Sequence, residues 1–268
     1  MIDSPYLAEP GKKFKISQHK SDATGDFKHK KDAIPEIKKN LEKLIVLQDR
    51  LYAQASQSIL IVFQAMDGGG KDGAISHVFS GVNPQGCTVT SFKQPTHIEL
   101  AHDYLWRIHA ATPGKGMIGI FNRSHYESVL VERVKKIAPK EVWSKRYDQI
   151  NHFEKLLSDE GTTILKFFLN ISWEEQKVRM EKRLADPKKN WKFDPEDLKS
   201  RQRWPDYMEA YQDAIGNCST HHAPWYVVPS DHKWFRNWVI SDLLVRTLAK
   251  MNPKYPPPLK DVEDITVK

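Results

Sequence analysis

Residues 58–73, SILIVFQAMDGGGKDG, constrain the fold of this chain more than any other stretch. Five apolar residues (Ile59, Leu60, Ile61, Val62, Phe63) run unbroken and give way to Asp67, three glycines and Lys71. A strand covered on both faces reads as a continuous apolar run, so the pattern predicts a buried parallel strand. The turn that follows needs residues without a Cβ, and Gly68, Gly69 and Gly70 supply them. Bare backbone N–H groups there, with Lys71 at a helix start, predict a cradle for phosphate oxygens. The spacing is that of a Walker A loop with two departures: Ala65 stands at the first glycine, and Asp72 stands where Ser or Thr would hold Mg²⁺.

Strands and helices alternate along the rest of the chain. Helical spacing of Ile37, Leu41, Leu44, Leu47 and Leu51 predicts a helix over 35–53 leading into the first strand. Further strands are predicted at 88–92, 117–121, 163–171 and 225–228, with helices at 71–82, 95–109, 125–134, 141–157 and 234–251. Ser172-Trp173-Glu174-Glu175 is a capping box that starts another helix after the fourth strand. Such alternation predicts a three-layer α/β fold, with a five-stranded parallel sheet between helical layers. Ligands in these folds sit at the carboxyl ends of the strands, so the strand-end loops are expected to converge.

Those loops carry polar residues suited to phosphate. Lys93, at the end of the second strand, is placed to hold an acceptor phosphate. Phe121-Asn122-Arg123-Ser124-His125-Tyr126-Glu127 follows the third strand, where a P-loop enzyme keeps its Walker B carboxylate. Asn122 takes that place and has no carboxylate to offer, so Asp67 becomes the candidate metal ligand, because Mg²⁺ demands hard oxygens. Arg123 can fork onto phosphate oxygens. Asp103 and Arg107, at i and i+4, are spaced for an ion pair.

Residues 177–203 hold ten Lys and Arg against five Asp and Glu. Arg179, Lys182 and Arg183 share one helical stripe, and Asp186-Pro187 and Asp194-Pro195 punctuate the segment. These features predict a helical lid over about 173–205 that closes over phosphates; a solvated charged face is the competing reading. Residues 1–33 are lysine-rich with little apolar periodicity and are expected to form a basic arm. A P-loop domain spans 34–252, and a Pro-rich tail 253–268.

Composition narrows the partner. The chain has 268 residues, is 40% hydrophobic and 28% charged, and carries a net +7, which favours a polyanion. No apolar run reaches the length of a membrane span, and two cysteines suggest neither a disulfide framework nor a metal site. A cytoplasmic protein is expected. No interleaved aromatic ladder marks nucleic-acid binding.

Taken together, AMDGGGKDG (65–73), GVNPQG (81–86), SFKQPT (91–96), ELAHDYLWR (99–107), IGIFNRSHYE (118–127) and NWKF (190–193) resemble the family-2 polyphosphate kinases. The resemblance implies a thymidylate-kinase-like P-loop fold with a helical lid. It implies Mg²⁺-dependent (or Mn²⁺-dependent) transfer of the terminal phosphoryl group between inorganic polyphosphate and purine nucleotides, AMP, ADP or both, and a homo-oligomer, dimer or tetramer. It assigns Asp67, Lys71 and Arg123 to catalysis and Asp67 to the metal. Gly68, Gly69, Gly70, Lys71, Lys93, Arg179 and Arg183 fall to phosphate, and Asn122, Arg123 and Glu127 to the nucleotide. Two rival functions fit the same residues: an ATP-dependent nucleoside monophosphate kinase, and a nucleic-acid-binding P-loop protein that is not a kinase.

Overall fold

Strand β2 (Ser58–Gln64) is buried along its whole length, and its side chains feed two cores in turn. Leu60 and Val62 enter a cluster with Phe121, Ile150, Phe168 and Tyr211, whereas Ile59, Ile61 and Phe63 enter one with Leu44, Leu51, Leu244 and Leu248. Successive strand side chains point to opposite faces, so an unbroken apolar run is what a strand between two helical layers requires. Residues 1–258 and 260 are described by the structure, a computed structural model.

The remaining strands are β1 (Leu7–Ala8), β3 (Cys87–Ser91), β4 (Ile118–Asn122), β5 (Thr162–Asn170) and β6 (Trp225–Pro229). They form one sheet in the order β1-β6-β5-β2-β4-β3. Strands β2 to β6 are parallel, as expected, and β1 adds a sixth, antiparallel strand through Leu7 opposite Tyr226. Helices α1 (Lys30–Gln54), α2 (Lys71–Val78) and α11 (Lys233–Met251) cover one face. The other face carries α7 (Arg146–Asp159) and α10 (Trp204–Cys218). Short helices α3 (His97–Leu100), α4 (Trp106–Ala110), α5 (Val131–Val134) and α6 (Lys140–Trp143) line the β3 and β4 side. Helices α8 (Trp173–Ala185) and α9 (Pro195–Gln202) make the lid segment.

The N-terminal segment wraps the surface of the domain. Phe27 packs edge-on to Trp238 with ring centres 4.9 Å apart, and the His19 carbonyl accepts from Asn170 Nδ2 at 2.8 Å. Its apolar residues pack on scattered parts of the domain, Leu7 beside β6, Phe14 against α10 and Phe27 on α11, so no periodicity announces them. The helix over 95–109 breaks into α3 and α4, because Asp103 Oδ1 accepts the Leu105 N–H at 2.9 Å and turns the chain between them. Arg107 consequently pairs with Glu99 at 3.7 Å, and its i, i+4 ion pair with Asp103 does not form. Helix α1 starts five residues before Pro35, where Asp32 Oδ2 accepts the His29 N–H at 3.1 Å. In the Pro-rich tail, residues 253–258 have no regular structure, and 261–268 lie outside the described residues.

Candidate active site

The glycine loop leaves the carboxyl end of β2 and turns into α2. Gly68 and Gly70 adopt φ of 77° and 95°, a conformation L side chains rarely take. A Cβ on Gly69 would sit 2.6 Å from Ala65 Cβ and 2.8 Å from the Met66 carbonyl. Alanine in place of the motif's first glycine thus makes glycine obligatory four residues later. The expectation of three bare N–H groups is corrected at one position: Gly69 spends its N–H on the Met66 carbonyl at 2.9 Å. Gly68 and Gly70 make no backbone hydrogen bond through nitrogen among the described residues. Lys71, in the first turn of α2, has no intrahelical acceptor for its N–H either.

The Lys71 side chain is buried and curls back, its Nζ donating to the Ala65 carbonyl at 2.9 Å. Burial lowers its pKa, the Arg123 charge lowers it further, and Asp67, Glu127 and Asp72 work against the fall. Beside it lies the strand-end block. The register sets Asn122 of β4 opposite Phe63 of β2, so the residues after β4 reach the glycine loop directly. Arg123 has a left-handed φ of 63°, a conformation costly for a residue with a side chain. Its Nη2 donates to Asp67 Oδ1 at 2.7 Å, and its Nη1 lies 3.6 Å from Glu127 Oε2. Burial works against the Arg123 charge, yet Glu127 and Asp67 together raise its pKa above the ordinary guanidinium value.

Asp67 offers the hard oxygen that a magnesium ion bound together with phosphates would take. Asp67 Oδ1 is taken by Arg123, while Oδ2 makes no hydrogen bond among the described residues. Asp197, on the lid, has its carboxyl pushed up to about 6 by burial, with the charge of Asp67 adding to the rise. No cluster of three or more His, Cys, Asp or Glu suited to a metal occurs among the described residues. Magnesium is ordinarily held by one or two carboxylates plus substrate phosphates and water, not by an all-protein cage, and Asp67 suffices for that.

A cavity of about 540 Å³ opens on the other side of Glu127, between α3–α4 and α6–α7. Glu99, Arg107, Glu127, Glu132, Lys145 and Arg146 are among its walls. Arg107 donates to the Lys93 carbonyl at 2.9 Å, and Arg146 donates to Glu132 at 2.7 Å. The Lys93 side chain is exposed at the end of β3 and is not part of the cavity wall. His125 is buried and packs inward, with Nε2 3.2 Å from Glu154 Oε1.

The lid cations divide differently from the sequence expectation. Arg179 is buried and donates to the carbonyls of Gly68 (3.3 Å), Gly69 (3.1 Å), Ser230 and Asp231, and to Glu175. Its donors are spent on protein, so Arg179 supports the loop instead of offering a fork to phosphate. Arg183 pairs with Asp197 at 3.0 Å. Asn122 is turned from the cavity and donates to Asp72 Oδ1 at 2.7 Å. Gln176 and Arg236 also hold the loop, donating to the Asp67 carbonyl at 2.7 Å and to the Gly70 carbonyl at 3.0 Å. Neither has a motif around it, and only the closeness of α8 and α11 to the loop reveals them.

A family model described as polyphosphate kinase 2 (PPK2) matches residues 27–256. The chain belongs to the polyphosphate kinase 2 family. Among its relatives, an AMP/ADP-polyphosphate phosphotransferase of Meiothermus ruber is 50% identical over 266 residues, covering 98% of each chain. An ADP-polyphosphate phosphotransferase of Rhodopseudomonas palustris is 41% identical, covering 91% of this chain and 92% of the relative. The crystal structure of polyphosphate kinase 2 from Arthrobacter aurescens TC1 superposes with a TM-score of 0.93 at 39% identity, over 97% of this chain and 93% of that one. The α/β P-loop architecture with its lid segment is therefore that of the polyphosphate kinase 2 family.

Proposed function

We propose that this polyphosphate kinase transfers the terminal phosphoryl group of inorganic polyphosphate to AMP and ADP, reversibly. The observation that carries the assignment of the site is the position of Arg123. It stands between Asp67 of the glycine loop and Glu127 of the cavity wall, at 2.7 and 3.6 Å. A phosphoryl group passing from a chain in the loop to a nucleotide in the cavity crosses that guanidinium. The kinship with the Meiothermus ruber phosphotransferase supports both acceptors.

An acceptor nucleotide phosphate is ionised at neutral pH, so the transfer needs no strong base. His125, the nearest imidazole in the block, is committed to Glu154 in the interior. The protein's work is alignment and charge neutralisation around a loose, metaphosphate-like transition state. Loop N–H groups take the donor phosphates, Lys71 swings from the Ala65 carbonyl onto them, and Arg123 holds the equatorial oxygens. Magnesium (or manganese) at Asp67 would neutralise phosphate charge when bound. The net charge of +7 supports a long polyanionic donor, with affinity that falls as salt rises.

No helix among the described residues is long and apolar enough to cross a membrane. We place the enzyme in the cytoplasm on the strength of its two free cysteines, Cys87 and Cys218. The exposed apolar residues Ile45, Val46 and Tyr52 on α1 support a homo-oligomer, dimer or tetramer.

The test is a matrix of donors and acceptors: AMP, ADP, GMP and GDP, each against polyphosphate and ATP, with and without chelator. Expected is transfer from polyphosphate to AMP and ADP that EDTA abolishes and Mg²⁺ or Mn²⁺ restores. Transfer to AMP from ATP alone would establish a nucleoside monophosphate kinase instead. A gel-shift titration with single- and double-stranded DNA and RNA is expected to show no specific complex.

A further inference from the structure

Four consecutive carbonyls of the glycine loop are each taken by a side chain from outside it. Gln176 Nε2 holds the Asp67 carbonyl (2.7 Å), Arg179 Nη1 those of Gly68 (3.3 Å) and Gly69 (3.1 Å), and Arg236 Nη1 that of Gly70 (3.0 Å). Every peptide bond among the described residues is trans. In a planar trans peptide the carbonyl of one residue and the N–H of the next point in opposite directions. Carbonyls held from α8 and α11, with that of Gly70 also accepting the Ala74 N–H of α2 at 3.0 Å, therefore leave the N–H groups of Gly68, Gly70 and Lys71 turned to the opposite side. Gly69 is the exception, its N–H closing the turn onto Met66.

Arg236 is the least expected of these braces. It is 2% exposed and forms no ion pair among the described residues. Its Nε and Nη2 both donate to Asn237 Oδ1, at 3.1 and 2.8 Å, which fixes the plane of the guanidinium. That plane lies hard against the loop: a Cβ on Gly70 would meet Nη1 at 2.2 Å. A buried cation without a counter-charge is costly, and it shows here as an Arg236 pKa pushed down to about 9 by burial and by the neighbouring Arg179 charge. Lys233 adds a third cation nearby. A chain of phosphates in the loop would supply the missing negative charge.

We infer that Arg236 is a positioning residue for phosphoryl transfer: it shares the Gly70 carbonyl with the Ala74 N–H (3.0 Å each) and so pins the loop where it enters α2, with its N–H groups presented to polyphosphate. Its buried charge adds to the attraction without touching the substrate. The inference rests on the loop being the polyphosphate site, so the experiment separates the two.

Tripolyphosphate binding is measured by calorimetry for the wild type, Lys71→Ala, Arg236→Met and Arg236→Lys. Amide hydrogen exchange of residues 65–74, and kcat and KM for polyphosphate and for ADP, are recorded for the same proteins. Arg236→Met is expected to weaken tripolyphosphate by about 10- to 100-fold, the range for a lost charged hydrogen bond. It is also expected to speed loop exchange and lower kcat, while KM for ADP stays within about twofold of wild type. Arg236→Lys keeps the charge and is expected to recover part of the affinity. Should Arg236→Met not fold, Asn237→Ala, which unties the guanidinium but leaves its charge, is expected to show the same loop exchange and reduced kcat. Loss of binding in Lys71→Ala with unchanged affinity and exchange in Arg236→Met would overturn the brace alone. Unchanged binding in Lys71→Ala would overturn the site and the brace with it.

Discussion

Asn122 Nδ2 donates to Asp72 Oδ1 at 2.7 Å, and this bond joins the two places where the chain departs from the usual P-loop pattern. Asp72 stands at the Ser/Thr position of the loop motif, and Asn122 stands where a Walker B carboxylate is kept. Each departure explains the other: with an acid on α2, an amide at the end of β4 is the partner that avoids two like charges in contact.

Asn122→Asp alone is expected to set two carboxylates against each other and lower the rate of phosphoryl transfer several-fold. The exchange Asp72→Asn with Asn122→Asp is expected to restore most of it. A double-mutant cycle on initial rates checks this, with an expected coupling of about 1 kcal/mol. Additive effects would dissociate the pair from turnover.

Arg123→Lys is expected to lower kcat by about 10- to 100-fold with the fold retained. A single ammonium cannot bridge Asp67 and Glu127 while meeting planar phosphate oxygens, whereas the guanidinium fork can. Steady-state kinetics with circular dichroism as the fold control decides it.

Lys166 on β5 and Glu154 on α7 form a buried ion pair, completed by Tyr126 Oη and the Cys218 carbonyl, both accepting from Nζ. Glu154→Gln leaves the lysine uncompensated and is expected to cost about 3–5 kcal/mol. Glu154→Leu with Lys166→Met removes both charges, though Tyr126 Oη and His125 Nε2 lose their acceptor, and is expected to cost less than Glu154→Gln alone. Urea unfolding of the two variants measures the difference.

Burial holds the His125 pKa below the ordinary imidazole value of 6.5, against the opposing pull of Glu154. A lowered folded pKa means the neutral ring stabilises the fold above about pH 6.5. That contribution drains away as pH falls below 6.5, because the unfolded chain takes up the proton first. Melting temperature is therefore expected to drop between pH 7 and 5, and His125→Gln to show a shallower slope. Equal slopes would remove His125 from the acid sensitivity.

The parallel sheet was legible because β2, β4, β5 and β6 are buried on both faces, and their apolar runs cannot be mistaken for amphipathic helices. The glycine loop was legible because its backbone conformation excludes side chains. By contrast, Leu7 and Phe27 contact β6 and α11 across some two hundred residues of sequence, a separation that leaves no local pattern. Arg179 illustrates a different limit. Its place on a basic stripe pointed to phosphate, yet the same long side chain reaches the loop carbonyls and is used up there. Sequence spacing fixes which face of α8 the residue is on, not whether its donors end on protein or ligand. Arg236 and Gln176 carry no sequence signal because their role is set wholly by tertiary contact.

The most direct measurement is the initial rate of ATP formation from ADP, with polyphosphate as sole phosphoryl donor, by the wild type and by Lys71→Ala. The expected result is robust turnover by the wild type and a loss of at least about 10³-fold in a variant that remains folded. A folded Lys71→Ala enzyme with near-normal turnover would mean that the glycine loop is not where the phosphoryl group is transferred.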